Sequence, residues 1–292
     1  MAVANHRDVL EIADRAESAP ANAPQREAGL GQAARHWANG LAWLPAVKQS
    51  SHYADRVAAL NRRLEPLLAQ LDFTLDPDEQ LPEDMQWMFD NVRLVRMTQG
   101  DVKQAAASLR RVPHCRTPDK TVLPRVVAIA QDFLLAVEYQ YSDRAFAAYV
   151  EAFQSLIVLN MDELSLLGPA LKLVVLEEFV TRGEEVLQAP EGERNISMLI
   201  GSMRDLSEAP WKELLEPLIV FEQVLAQDPA KAYARMDYAS RELYRHTVTH
   251  YAEHSDCSEM EIAGTALELA EESTKHPASD PRLAWRRSHV GY

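Results

Sequence analysis

The stretch that decides the fold is Leu164–Val180, LSLLGPALKLVVLEEFV. It is apolar on most faces of a 3.6-residue turn, and a helix of that kind belongs in the middle of a large core. Gly168-Pro169 within it reads as a break or restart, because proline lacks the N–H and crowds the preceding turn. Just upstream, Asn160 and Glu163 repeat the logic of a capping box, with Asn in the Ser/Thr place.

Working outward from that stretch, the same period recurs. In Pro210–Gln227 (PWKELLEPLIVFEQVLAQ) the apolar residues Leu214, Leu215, Leu218, Ile219, Val224 and Leu225 fall at helical spacing. Pro210 suits a first helical turn, where its missing N–H would be unpaired anyway. Ser258 and Glu261 form a capping-box pattern ahead of the amphipathic SEMEIAGTALELAEE. This punctuation predicts about ten helices, at roughly 25–47, 52–71, 82–111, 121–140, 142–159, 161–188, 193–208, 210–227, 229–254 and 258–275, with a further one near 5–17. No series of alternating β-branched runs separated by turns appears. The flanks of Asn39-Gly40 (RHWANGLAWL) do not alternate, so that dipeptide reads as a helix end or kink rather than a hairpin. The expected fold class is all-α: a single multi-helix body without a significant sheet.

Composition narrows the function. The 292 residues carry 30 Lys+Arg and 44 Asp+Glu, a net charge of −14, which argues against a general binder of phosphate backbones or of acidic lipid surfaces. With 47% hydrophobic and 25% charged residues the chain is ordinary globular material. Two cysteines, Cys115 and Cys257, without a CxxC pair, exclude a disulfide framework or a Cys-rich zinc module. The longest uncharged stretch, His36–Val47, is far shorter than the ~18 apolar residues of a membrane helix. MAVANHRDVLEIADRAE at the start has no secretory-type apolar region. Residues 1–50 are expected to form a variable segment with a flexible Ala/Pro stretch (AESAPANAPQR, Ala16–Arg26), 51–275 the helical domain, and 276–292 a connector. No fixed repeat period is present.

Four constellations bear on chemistry. His246, His250 and His254 stand at i, i+4 and i+8 of one predicted helix, so an adjacent pair such as His246 and His250 suits a metal ion. All three span about 12 Å and cannot share one ion. A third ligand has to come from elsewhere, neither an HExxH nor an HxxE pattern being read beside them, and a solvated polar face is the plainer account. Asp76-Pro77-Asp78 matches the Asp-x-Asp with which many nucleotide-sugar transferases hold a cation, but it lies in a Pro-rich link between helices, where Asp serves as a turn former. Cys115 follows His114, a pairing read as coincidence rather than as an activated thiol. Trp87, Trp211 and Trp285 read as packing residues ahead of sugar-stacking platforms. There is no GxGxxG, P-loop or GxSxG, and no catalytic residue is assigned.

From about residue 55 to the end, some four fifths of the chain, the sequence resembles the N-terminal helical region of bacterial cyclic β-1,2-glucan synthases, the region ahead of their family 84 glycosyltransferase domain. The resemblance rests on Trp87–Asn91 (WMFDN), Leu123–Val126 (LPRV), Tyr149–Glu178, Asp228–Val248 (DPAKAYARMDYASRELYRHTV) and His289–Tyr292 (HVGY). The stretch RRVPHCRTPDKTV, residues 110–122, departs from the family's basic and aromatic pattern there. The resemblance implies a parent enzyme that makes glucan from UDP-glucose with a divalent metal in a transferase domain further along the chain. It also implies a place on the cytoplasmic side of the inner membrane, with Tyr292 shortly before a membrane-spanning segment. The transferase motifs fall outside the matched region, so no catalytic residue and no cofactor carries over to this chain.

Within Asp228–Val248, Tyr233 and Met236 are expected to pack inward. Tyr238, Arg241, Tyr244 and Arg245 are expected to form an Arg/Tyr stripe that docks onto the transferase or membrane domains of the same polypeptide. A non-catalytic scaffold or regulatory module is thus the first expectation. Its rival, a carbohydrate-binding or carbohydrate-active helical domain, requires a concave site where Trp or Tyr faces converge with at least two carboxylates, with glucan as partner. A metal-dependent enzyme built on His246 and His250 is the third.

Overall fold

Leu164–Val180 lies inside one unbroken helix, Met161–Gln188, around which the rest of the chain is built. The structure is a computed structural model and describes residues 23–40, 42–44, 52–73, 81–106, 112–117, 120–190, 192–275 and 278–292. In chain order its elements are α1 (Ala23–Gly40), β1 (Ala42–Leu44), α2 (His52–Phe73), α3 (Glu83–Asp90), α4 (Val92–Ala105), β2 (His114–Arg116), β3 (Val122–Pro124), α5 (Arg125–Ala136), α6 (Asp143–Gln154) and α7 (Met161–Gln188). There follow α8 (Ile196–Glu208), α9 (Trp211–Leu215), a 3₁₀ turn (Glu216–Leu218), α10 (Val220–Leu225), a second 3₁₀ turn (Tyr233–Arg235), α11 (Tyr238–Glu253), α12 (Glu259–Lys275) and α13 (Pro281–Arg287). The fold is predominantly all-α and forms one body, as the periodicity predicts.

Helix α7 packs against α2, α3, α4, α5 and α8. Leu164, Leu167, Leu171, Leu173, Val175, Leu176, Phe179 and Val180 are buried along it, each contributing about 1.5–3 kcal/mol by leaving water. Its start is the expected capping box: Asn160 Oδ1 accepts the Glu163 N–H at 2.8 Å, and Glu163 accepts the Asn160 N–H at 3.2 Å. The expected break at Gly168-Pro169 does not occur. Neighbours on several sides outweigh the ~3 kcal/mol that an interior proline costs an isolated helix. Gly168 is needed for another reason, since a Cβ there would stand 3.0 Å from the Trp211 ring.

Several expected helices are divided, each at an identifiable residue. The helix expected over 82–111 ends and restarts at Asn91, whose Nδ2 donates to the Trp87 carbonyl at 2.9 Å; residues 107–111 lie outside the described ones. Pro217 replaces the middle of the 210–227 helix with a 3₁₀ turn. The 229–254 helix starts only at Tyr238, because Asp228 gathers the preceding backbone into a loop with Lys231 at φ 51°. The 121–140 helix is preceded by β3, where Leu123, held before Pro124, is biased towards extended backbone.

The sheet itself was not expected. β2 pairs antiparallel with β1 (Cys115 opposite Trp43) and with β3 (Cys115 opposite Leu123). Three residues per strand are too few to print an alternation in the sequence. Gly40 does end a helix rather than form a hairpin. Helix α1 packs on α5 and α6, with Ala34 and Ala38 buried and Trp37 6.3 Å from Phe153, so part of the segment expected to be variable joins the body. Of the expected linker, Ala23–Arg26 is helical; the helix expected near 5–17 and the Asp76-Pro77-Asp78 motif lie outside the described residues. The stretch expected as a connector contains α13, capped by Asp280 accepting the Arg282 N–H at 2.9 Å and packed on α12.

Candidate functional site

The residues singled out for docking lie on α11, whose first turn is capped by Asp237 accepting the Ser240 N–H at 2.7 Å; that bond holds the Asp237 carboxyl below its usual value. From this start, Arg241 and Arg245 fall on the face turned towards α10 and the 3₁₀ turn before it. Arg245 is buried, its side chain 2% exposed, and is ringed by three carboxylates. Its Nε donates to Glu222 at 2.6 Å, and its two terminal nitrogens donate to Glu242 and Glu216 at 3.0 Å each. Burial alone would lower the Arg245 pKa, but these bonds, Glu222 foremost, raise it, so the guanidinium is locked in its charged form. Arg241 joins from the rim, 2.7 Å from Glu216 and 3.8 Å from Glu222. Glu222 also accepts from the Tyr233 hydroxyl at 3.0 Å.

Two arginines against three glutamates make this a clamp with no surplus positive charge. It fastens α11 to the α9–α10 segment. Tyr233 is buried and Met236 packs against the core, both inward as expected. Tyr244 is half-buried, set edge-on to Tyr233 at 5.4 Å and to His289 at 5.8 Å. Tyr238 lies at the outer edge, with Lys212 Nζ 3.5 Å and the Arg245 guanidinium 4.9 Å from its ring centre. The structure therefore brings Tyr238, Arg241 and Arg245 together with Lys212, Glu216 and Glu222, while Tyr244 faces the C-terminal residues. The three added partners lie in three other elements, α9, the 3₁₀ turn after it and α10, and the spacing within Asp228–Val248 carries no signal for them.

The histidine stripe is exposed on the far end of the same helix. His250 and His254 are the close pair, with ring centres 4.3 Å apart against 6.4 Å for His246 and His250. Glu253 completes a group whose ligand atoms all lie within 4.8 Å of one another. The expectation that no HxxE pattern accompanies the histidines is wrong: the sequence carries this carboxylate in His-x-x-Glu-His, residues 250–254, one helical turn from His250.

Elsewhere, Cys115 is buried in β2, its Sγ 3.8 Å from the Leu123 carbonyl oxygen, and burial pushes its thiol up to about 12, the opposite of activation. A cavity of about 470 Å³ is lined by Trp211, Lys172, Asp101, Gln104, Ser165 and Pro169, among others, with Lys172 paired to Asp101 at 2.6 Å. Trp211 is held there by donating to the Leu206 carbonyl at 3.2 Å and by Phe146 at 5.8 Å. The lining holds one tryptophan and one carboxylate, short of the aromatic and acidic convergence that sugar chemistry requires. Trp87 packs half-buried on the core, and Trp285 is exposed on α13.

The buried carboxylates each have structural partners. Asp84 accepts the Arg194 and Ile196 N–H groups at 2.6 and 3.0 Å and so caps α8 from another helix. Glu163 is paired with Arg125, whose Nε is 2.6 Å away; burial raises its pKa against the lowering effect of that arginine. Glu259 accepts from the Met161 N–H at 3.1 Å and the Thr249 hydroxyl at 2.8 Å.

No described helix is long and apolar enough to cross a membrane. No protein-family model matches the chain. The chain is similar to the cyclic beta-(1,2)-glucan synthase NdvB of Rhizobium meliloti (strain 1021), with 29% identity over 115 residues. That match covers 37% of this chain and only 4% of the enzyme's length. The relationship to a glucan synthase is a distant one.

Proposed function

We propose that the chain is a non-catalytic helical module of a membrane-bound cyclic β-1,2-glucan synthase, corresponding to the region ahead of the transferase domain and serving that domain as a scaffold or docking element. The observation that carries this reading is the 29% identity to a cyclic glucan synthase. The way the chain uses its carboxylates supports it. Asp84, Glu163, Glu222 and Glu259 cap helices or neutralise arginines, so they hold the fold together and are not presented to a substrate. The docking surface is the outer edge of the α11 clamp, where Tyr238 and Arg241 reach solvent beside the more enclosed Tyr244 and Arg245. The parent's UDP-glucose and divalent metal belong, on this reading, to the transferase domain on the cytoplasmic side of the inner membrane.

The test pairs a complementation with a titration. Co-expressed with a cyclic glucan synthase lacking its N-terminal helical region, the chain is expected to co-purify with the enzyme and restore glucan synthesis. The double variant Tyr238→Ala with Arg241→Ala, Arg245 being retained, is expected to lose co-purification while remaining folded. The isolated chain is expected to give no saturable heat with linear β-1,2-glucooligosaccharides or UDP-glucose. Saturable binding of either ligand, or failure to restore synthesis, would overturn the proposal.

A further inference from the structure

We propose that His250, Glu253 and His254, at the C-terminal end of α11, form a binding site for a divalent late transition-metal ion, zinc in the first instance. The site stands independently of the relationship to glucan synthases. Residues at i, i+3 and i+4 of a helix project from one face across a single turn, and here their ligand atoms lie within 4.8 Å of one another. Small rotamer changes of exposed side chains suffice to bring such a set onto one ion at zinc–ligand distances of about 2.0–2.2 Å. All three side chains are exposed, so core packing does not account for their arrangement.

Two further features point to a cation. The first is a tautomer. His254 Nδ1 lies 2.8 Å from the His250 carbonyl oxygen, so Nδ1–H donates to it and the Nε2 lone pair is left free for a metal. A backbone carbonyl in that position orients and strengthens a metal-bound imidazole. The second is position: His254 is the C-cap residue of α11, where the unpaired carbonyl ends of a helix favour positive charge.

The donor set selects the ion. Two neutral imidazoles and one carboxylate suit zinc and its neighbours, whereas calcium and magnesium prefer an all-oxygen shell. Three protein donors leave a fourth position for water or for a group from a partner. The order His-x-x-Glu-His is shared with a class of zinc enzymes whose glutamate is a base rather than a ligand. Here the group stands on an open helix face, and neither side of the clamp nor the Trp211-lined cavity includes it, so the inference is metal binding and not hydrolysis.

The test uses the whole chain carrying Cys257→Ser, which removes an exposed thiol near the site from competition for the ion. Titrated with zinc chloride at about pH 7.5 it is expected to bind one equivalent saturably, to raise its Tm, and to show no response to magnesium chloride. His250→Ala and His254→Ala are each expected to abolish the binding, and Glu253→Gln to weaken it on the order of tenfold or more. His246→Ala is expected to leave it unchanged. These positions are exposed, so circular dichroism is expected to show every variant folded. Absence of zinc binding, binding that survives His254→Ala, or binding lost in His246→Ala would each overturn the assignment.

Discussion

Asp228 Oδ1 accepts the backbone N–H of Val290 at 3.2 Å, which ties the last residues of the chain to the loop before α11. The same carboxylate accepts the N–H groups of Ala230, Ala232 and Tyr233 at 3.3, 2.9 and 3.1 Å. Its burial is therefore matched by four backbone donors, of which Ala230 N–H also reaches the Ser288 carbonyl at 3.2 Å. Gly291 lies so close to Tyr244 that a Cβ there would meet the ring and its hydroxyl. Asp228–Val248 and His289–Tyr292, two separate stretches on which the family resemblance rests, thus form one packed unit. Asp228→Ala is expected to destabilise the protein by about 3 kcal/mol, because the N–H groups of Ala232, Tyr233 and Val290 lose their acceptor together. Urea unfolding measures the loss. Faster amide exchange at Val290, with α7 unaffected, would place it in this unit.

Arg245 is expected to be a stability residue first. Its removal breaks the buried pair with Glu222 and leaves that carboxylate only the Tyr233 hydroxyl and, at 3.8 Å, Arg241; breaking a buried pair of this kind costs about 3–5 kcal/mol. Arg241 sits at the rim and shares Glu216, so Arg241→Ala is expected to cost about 1 kcal/mol or less. Chemical denaturation of the two alanine variants separates the roles. Equal effects would mean that the clamp is not organised around Arg245.

How much of this was legible follows from what each signal depends on. The central helix, its capping box and the all-α class come from local periodicity and short-range hydrogen bonds, which a sequence displays directly. Asn160 and Glu163 are three residues apart, and their pattern survives intact. Two of the three partners of Arg245 are not legible, because Glu216 and Glu222 reach it only through the tertiary fold, whereas Glu242 stands three residues before it on the same helix. Asp84 capping α8 across 110 residues of chain is the same case. The three strands are not legible for a different reason: three residues carry no period. Glu253 was within reach of sequence reasoning, since it stands between the two histidines it joins.

Gly168 and Pro169 are expected to respond in opposite directions. Gly168→Ala pushes a methyl to 3.0 Å from the Trp211 ring, which is fixed by Phe146 and by the Leu206 carbonyl, so a loss of about 1–3 kcal/mol and a change in tryptophan fluorescence are expected. Pro169→Ala restores an N–H inside a continuous helix and is expected to stabilise it, by up to about 3 kcal/mol. Thermal unfolding checks both. A destabilising Pro169→Ala would show that the ring's packing beside Trp211 matters more than the missing hydrogen bond.

Glu259 sets a pH dependence whose sign can be stated. Burial raises its pKa above the ordinary value of 4.5, against the lowering effect of the bonds from Thr249 and Met161. Between the ordinary value and the raised one, the folded protein holds more of this proton than the unfolded chain. Stability therefore falls as pH rises through that window, and the burden of a buried carboxylate is fully present above it. Glu259→Gln removes the burden while keeping an oxygen acceptor for the Met161 N–H. The variant is thus expected to gain stability relative to the parent as pH is raised from about 4 to about 7. Paired urea unfolding curves across that range check it. A difference that stayed constant, or moved in favour of the parent protein, would mean that the Thr249 and Met161 bonds outweigh desolvation and that Glu259 is better ionised than neutral in the fold.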